Sequence, residues 1–339
     1  MNITRFLSSS RSKKPFLAVI GHPIGHSLSP LIHNEAIIYH GLPAAYHAID
    51  CPAADYHLLP HLMRNGYFRG ANVTIPLKQD IMGYLDETDS EAFAIGAVNT
   101  VVAFQPEDDS MLSAAVSSET GRIRLEGHNT DAFGFLKPLE KYGHFQTALI
   151  LGSGGAMRAV RYALMKTGVK SIYIASRFAG KSAGKDRNPN TGNDQSNKTS
   201  IHDSGEASVR SESGEASVHP ESGVINEKWV SYTQIREIMP ECELIVNTTP
   251  VGMYPGITEM PLTEAMLGDM KGKVCYDLIY NPVETRLIQT ARSLGAETIS
   301  GMEMFFWQAS RSFELWFNLP MPANRVRKVL EEQGMNASF

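Results

Sequence analysis

Short apolar runs, each closed by a polar or glycine-rich knot, recur along this chain. Residues 16–20 (FLAVI), 44–51 and 70–74 read as strands in the first half. Residues 147–151 (TALIL), 171–175, 244–250, 274–282 and 297–300 read the same way further on. Helical spacing separates them: a helix opened by Ser29-Pro30, then 55–65, 132–141, 159–167, 285–294 and a long amphipathic helix from Gly301 to about Phe317. Strand and helix alternating through short links predict an α/β fold built on parallel sheets, with ligands beyond the C-terminal ends of the strands.

Three stretches break this rhythm. Residues 180–223 are rich in Ser, Gly, Asn, Asp and Glu, lack any aromatic residue, and repeat SGEASV at 204–209 and 213–218. Ordering a backbone residue costs about 1–2 kcal/mol, which such a composition cannot offset by burial. The stretch is predicted to be a disordered insert with no catalytic role. Residues 106–119 are polar and predict a hairpin loop. Residues 1–14 carry serines and basic residues without an apolar signal core and predict a loose tail.

Composition narrows the class. The 339 residues suffice for two domains, and 42% hydrophobic content supports real cores. A net charge of −5 argues against nucleic-acid binding. Cys51, Cys242 and Cys275 are scattered and show no metal-ligand spacing, so a reducing, cytoplasmic setting fits and neither a disulfide framework nor a metal site is expected. No run of about 18 apolar residues predicts a membrane span.

The knots carry the candidate chemistry. Lys78 follows a strand and the break at Pro76, where backbone on both sides can aim its ammonium. Paired with Asp131 of the knot GHNTD, it makes a general acid/base couple; Asp131 could also cap the following helix. Ser27 and Ser29 open a helix and suit a carboxylate, although Ser29 could be a cap alone. Asn99 and Thr100 interrupt an apolar stretch, so Asn99 must find partners in backbone or in a ligand hydroxyl. After the strand at 147–151 comes Gly152-Ser153-Gly154-Gly155-Ala156, then a helix: the strand–turn–helix setting of a dinucleotide site. Met157 occupies the third fingerprint position, where a small residue is usual. The next strand ends in Ser176-Arg177 with no acid, which favours the 2′-phosphate of NADP over NAD. The order of these knots points to a nicotinamide-dependent dehydrogenase.

The motifs GHPIGHSLSP, GANVTIPLK, IGAVNT, GHNTDAFGF, LGSGGAMRA, NTTPVGM, YDLIYNP and GMEMFFWQA, in that order, resemble those of the shikimate dehydrogenase family. The resemblance implies a substrate-binding catalytic α/β domain at 15–136, completed by C-terminal helices at 302–335, and a Rossmann-type NADP-binding domain at 137–301. It implies reversible NADPH-dependent reduction of 3-dehydroshikimate to shikimate in the chorismate pathway of aromatic amino acid synthesis, by a monomer or homodimer. It further implies that Ser27 and Ser29 bind the substrate carboxylate, and that Thr74, Asn99, Tyr280 and Gln308 line its ring. Lys78 and Asp131 would hold the reacting hydroxyl. Gly152, Ser153, Gly154, Gly155, Ala156, Ser176 and Arg177 would take the NADP phosphates, with Thr248, Leu278 and Gly301 near the ribose and nicotinamide. Phe178 stands where many NADP-using members have Thr. The rivals are a quinate/shikimate dehydrogenase using NAD and a non-catalytic nucleotide-sensing module of the same fold.

Overall fold

The computed structural model describes residues 1–105, 122–176 and 225–335. The loop expected at 106–119 and the insert expected at 180–223 lie outside the described residues. Strands β1 (Phe16–Gly21), β2 (Ala45–Asp50), β3 (Phe68–Val73), β4 (Glu87–Thr88), β5 (Thr100–Phe104) and β6 (Arg124–His128) make one sheet in the order β2-β1-β3-β5-β6-β4. The β1, β2 and β3 strands are parallel, and β5 turns the far edge antiparallel. A second sheet contains β7 (Thr147–Leu151), β8 (Ser171–Ala175), β9 (Asn226–Val230), β10 (Leu244–Asn247), β11 (Val274–Asp277) and β12 (Glu297–Ser300). Every pairing in it is parallel and its order is β12-β11-β10-β7-β8-β9. That is the doubly wound dinucleotide-binding order, with its reversal between β7 and β10.

Helices α1 (Ile3–Leu7), α2 (Ser29–Tyr39), α3 (Leu59–Met63) and α4 (Ser90–Ile95) accompany the first sheet, while α5 (Asp131–Leu136) buries Ala132 and Phe135 in the core of the second. Helices α6 (Gly155–Lys166), α7 (Ile235–Ile238), α8 (Glu264–Leu267) and α9 (Arg286–Ser293) accompany the second. The chain then returns to the first sheet through α10 (Gly301–Phe317) and α11 (Ala323–Glu331). The side chains of β1 alternate between two cores. Leu17 and Val19 face Phe305, Phe306, Phe313 and Trp316 of α10, while Phe16, Ala18 and Ile20 face α1 and α3. The last helices therefore cover one face of a sheet made by the first third of the chain. No helix among the described residues is long and apolar enough to cross a membrane.

Residues 1–14, expected as a loose tail, instead form α1 and a short turn at Ser10–Lys13. Asn2 caps α1 by accepting from the Arg5 N–H at 2.9 Å, and Ile3 and Phe6 are fully buried. Phe6 meets Phe16 edge to face, with centroids 4.9 Å apart. The physical reason is the spacing Ile3, Phe6, Leu7, a one-turn apolar stripe that serines and basic residues outweigh in composition. Burying two such side chains stabilises by roughly 1.5–3 kcal/mol each, enough to order a short segment.

Candidate active site

Lys78 is set by its neighbours. Leu77 is fully buried in the first core, its N–H donates to Thr74 O at 2.9 Å, and Lys78 O accepts from Val98 N at 2.8 Å. The side chain then has one direction to take. Its Nζ lies 2.5 Å from Asp131 Oδ2, with the two side chains 17% and 8% exposed. Asp131 opens α5 but does not cap it: Oδ1 accepts from Asn99 Nδ2 at 2.8 Å, so both carboxylate oxygens are engaged away from the helix. The pair lies beside the glycine turn, since a Cβ built on Gly155 would stand 4.0 Å from Lys78 Cδ. The lysine and carboxylate that the sequence suggested, 53 residues apart, thus meet, and meet next to the second sheet.

Asn99 finds a backbone partner, one of the two kinds the sequence allowed, together with two side-chain partners. Its Nδ2 donates to Asp131 and, at 3.0 Å, to Thr130 Oγ1, while its Oδ1 accepts from Thr130 N at 2.7 Å. That last bond fixes which end of the amide faces the carboxylate. Asn99 here orients Asp131, with both amide protons used.

Ser29 is also not a helix cap. The N-cap of α2 is Leu28 with no side-chain capping bond, and Ser29 is buried as the first helical residue. Ser27 Oγ accepts from Ser29 N at 3.3 Å. Thr74 follows β3, with its N–H bonded to Ile20 O at 2.9 Å, so the ends of β1 and β3 hold Ser27, Thr74 and Lys78 on one edge. Tyr280 stacks on Phe305 of α10, centroids 4.8 Å apart, and burial pushes its phenol up. Gln308 lies one turn further along α10, where its Nε2 donates to Phe305 O at 2.8 Å.

The nucleotide turn sits at the reversal of the second sheet. Gly152 has φ +113, and a Cβ there would come 2.6 Å from Thr248 Oγ1, so only glycine fits. Thr248 Oγ1 itself donates to Leu151 O at 2.7 Å, closing the ends of β7 and β10 against each other. Gly154 precedes α6 with no side-chain cap, leaving first-turn N–H groups available to an anion. Ser153 is exposed, and Ser176 Oγ lies 3.4 Å from Ser153 Oγ. Met157 is 6% exposed within the core between α6 and the sheet, so the helix packs with a long side chain where a small one is usual. Gly301 starts α10 against Leu278, whose backbone a Cβ would strike. These residues fit a dinucleotide phosphate. Arg177 lies outside the described residues. Among the described residues no group of His, Cys, Asp and Glu could hold a metal.

Two clusters have no counterpart in the sequence reading. One is a buried polar network of Asn72, Thr100, Thr130 and Ser312. The other is Asp277, fully buried at the end of β11. It accepts from Thr285 Oγ1 at 2.6 Å, Asn247 Nδ2 at 2.9 Å and Ile279 N at 3.1 Å. It therefore ties together the loops that carry Thr248 and Leu278. Burial pushes its carboxyl up to about 6, against the lowering effect of those three donors. With the folded value raised above the ordinary 3.8, its contribution to stability is full below 3.8 and is lost as pH rises through about 6. Denaturant unfolding of wild type and Asp277→Asn at several pH values checks this. The wild-type advantage is expected to shrink by up to about 3 kcal/mol between roughly pH 4 and pH 7. A pH-independent difference would show that Asp277 is ionised throughout.

Comparison with known proteins fits this geometry. A model of the shikimate dehydrogenase substrate binding domain matches residues 19–101, and one of the shikimate 5'-dehydrogenase C-terminal domain matches residues 301–331. A shikimate dehydrogenase (NADP(+)) of Moorella thermoacetica is 35% identical over 95% of this chain and 94% of its own length. The chain belongs to the shikimate dehydrogenase family. Another member, from Bacillus cytotoxicus, is 32% identical over 94% of this chain and 98% of its own. The solved shikimate 5-dehydrogenase of Thermus thermophilus, in complex with NADP(H) and shikimate, is 30% identical with a TM-score of 0.67, covering 94% of this chain and 99% of that one. A quinate dehydrogenase of Corynebacterium glutamicum in complex with NAD is 27% identical, with a TM-score of 0.70 and coverage of 94% and 99%. The family's fold thus serves both substrates, and side chains must decide between them.

Proposed function

We propose that this protein is a shikimate dehydrogenase that reversibly reduces 3-dehydroshikimate to shikimate with NADPH. The observation that carries the reading is the Lys78–Asp131 pair at 2.5 Å, beside a glycine turn, in a chain of this family. Bound NADPH supplies the hydride. The protein's part is to bind, orient and move a proton. The Lys78 ammonium stabilises the charge that develops on the carbonyl oxygen and delivers a proton from Nζ as the alcohol forms. Asp131 Oδ2 orients that ammonium and, in the reverse direction, favours its return to the charged form. Ser27 and Ser29 take the substrate carboxylate, and Thr74, Tyr280 and Gln308 border the ring. Gly152, Ser153, Gly154, Gly155, Ala156, Ser176 and Arg177 take the phosphates, with Thr248, Leu278 and Gly301 toward the nicotinamide.

The same reading divides the chain at about residues 136 and 301, where it leaves the first sheet and returns to it. The three cysteines are free and buried, which supports a reducing compartment such as the cytoplasm. The test is a spectrophotometric assay of shikimate and quinate oxidation, each with NADP and with NAD. Shikimate with NADP is expected to be the fastest pairing. Faster turnover of quinate with NAD would overturn the assignment in favour of the rival dehydrogenase, and absence of turnover in all four arms would favour a sensing module.

A further inference from the structure

Behind Asp131 lies a set of buried polar side chains, joined through Asn72 to the Tyr46 hydroxyl at 2.7 Å. Asn72 on β3, Thr100 on β5, Thr130 before α5 and Ser312 on α10 are all buried, Thr100 and Ser312 fully. Ser312 Oγ is their meeting point. It donates to Gln308 O at 3.0 Å and accepts from Asn72 Nδ2 at 2.9 Å. Thr100 Oγ1 stands 2.9 Å away and Thr130 Oγ1 3.1 Å away. The two threonines also lie 3.0 and 3.2 Å from Asn99 Oδ1.

A hydroxyl has one donor and two acceptor lone pairs. With its proton on Gln308 O and one lone pair taken by Asn72, Ser312 has one lone pair left. Asn99 Oδ1 already accepts from Thr130 N, so it too has one lone pair left. Two threonine protons need acceptors; both of these lone pairs lie within reach of them, and the two threonine hydroxyls also stand 3.2 Å from each other. Ser312 supplies the shortest of these contacts, 2.9 Å to Thr100 Oγ1. Without it, Asn72 Nδ2 is left with Thr100 Oγ1 at 3.2 Å and Asn99 O at 3.4 Å, and the two threonine protons with Asn99 Oδ1 and the 3.2 Å approach between their own hydroxyls. The freed threonine then competes at Asn99 Oδ1, the atom whose bonds aim the Asn99 amide at Asp131. Longer, shared bonds within a buried polar network weaken its hold on the groups it orients.

We infer that Ser312 is a positioning residue for the reaction: through Thr130, Thr100 and Asn99 it holds the Asp131 carboxylate, and with it Lys78, in register with helix α10. This rests on the catalytic reading of Lys78 and Asp131. It gives α10 a part in the chemistry beyond covering a sheet. The same hydroxyl binds the Gln308 carbonyl and the network behind Asp131, so substrate-side and proton-side groups share one anchor.

The test separates the hydroxyl from stability. Turnover, both Michaelis constants and melting temperature are measured for wild type, Ser312→Ala, Ser312→Thr and Ser312→Cys, at a temperature below every melt. Ser312→Ala is expected to lower kcat by roughly tenfold to a hundredfold, the effect of a small displacement of a reacting group. The KM for NADP is expected to stay within about twofold, because the network does not touch the glycine turn. Ser312→Thr keeps the hydroxyl and recovers most of kcat, although its extra methyl lowers the melting temperature. Ser312→Cys fills the volume with a weak acceptor and behaves in kcat like the alanine variant while melting close to wild type. A kcat that tracks melting temperature rather than the hydroxyl, or an alanine variant with wild-type kcat, overturns the inference. Lys78→Ala assayed in parallel keeps the two readings apart. If it is inactive while Ser312→Ala is unaffected, only the role of Ser312 is lost.

Discussion

Lys78→Ala is expected to lower kcat by at least roughly 10²–10⁴-fold, the range for a positioned acid/base, with a smaller change in KM for shikimate. The split follows from where the ammonium acts. In the ground state the carbonyl oxygen is neutral and gains little from a cation; in the transition state it carries developing charge and takes a proton. The backbone that holds Lys78, through Leu77 and the Lys78 O···Val98 N bond, does not depend on the side chain, so the loop should keep its shape. Removal does leave the Asp131 carboxylate, 8% exposed, with Asn99 but without a cation. Some loss of stability is therefore expected, and a melting curve must accompany the kinetics. Steady-state turnover near wild type would remove Lys78 from the chemistry whatever the melting curve shows.

Much of the architecture is written locally. Buried parallel strands read as unbroken apolar runs, which is why β1, β7 and β11 are visible in FLAVI, TALIL and VCYD. Glycine turns between strand and helix mark where the second sheet reverses. Other features depend on what lies far away in the chain. The edge strand β9, NEKWV, is mostly exposed and carries little apolar signal of its own; its pairing with β8 makes it a strand. The N-terminal helix α1 exists because a core formed by β1, α3 and β3 has room for Ile3 and Phe6.

The site divides in the same way. Lys78, Asp131 and the glycine turn are legible because each sits in a knot whose local backbone explains it. The roles of Asn99 and Ser312 are not, because their partners come from other elements. Ser312 lies 182 to 240 residues from Thr130, Thr100 and Asn72, and the one available sign was a serine within the apolar stripe of Phe305, Ala309, Phe313 and Trp316. A polar residue at a buried helical position must find hydrogen bonds, but sequence does not say with whom.

Asp131→Asn is expected to lower kcat about as far as loss of the lysine, again by roughly 10²–10⁴-fold. The substitution is nearly isosteric yet electrostatically wrong. Asp131 faces donors on both sides, Lys78 Nζ at 2.5 Å and Asn99 Nδ2 at 2.8 Å, and a carboxylate accepts from both. An amide has one carbonyl, so its NH₂ must confront either the ammonium or the Asn99 amide. A second exchange separates geometry from charge. Asn99→Asp combined with Asp131→Asn restores a donor for every acceptor: the residue-131 amide donates to the new carboxylate and its oxygen accepts from Lys78. Thr130 N, which donates to Asn99 Oδ1 at 2.7 Å, still finds an oxygen. The double variant is therefore expected to regain much of the stability lost by Asp131→Asn, measured by denaturant unfolding. Its turnover should stay low, because the negative charge now stands one residue further from the ammonium. Recovery of turnover along with stability would mean that Asp131 acts only by holding Lys78 in place and that its charge plays no part in proton transfer.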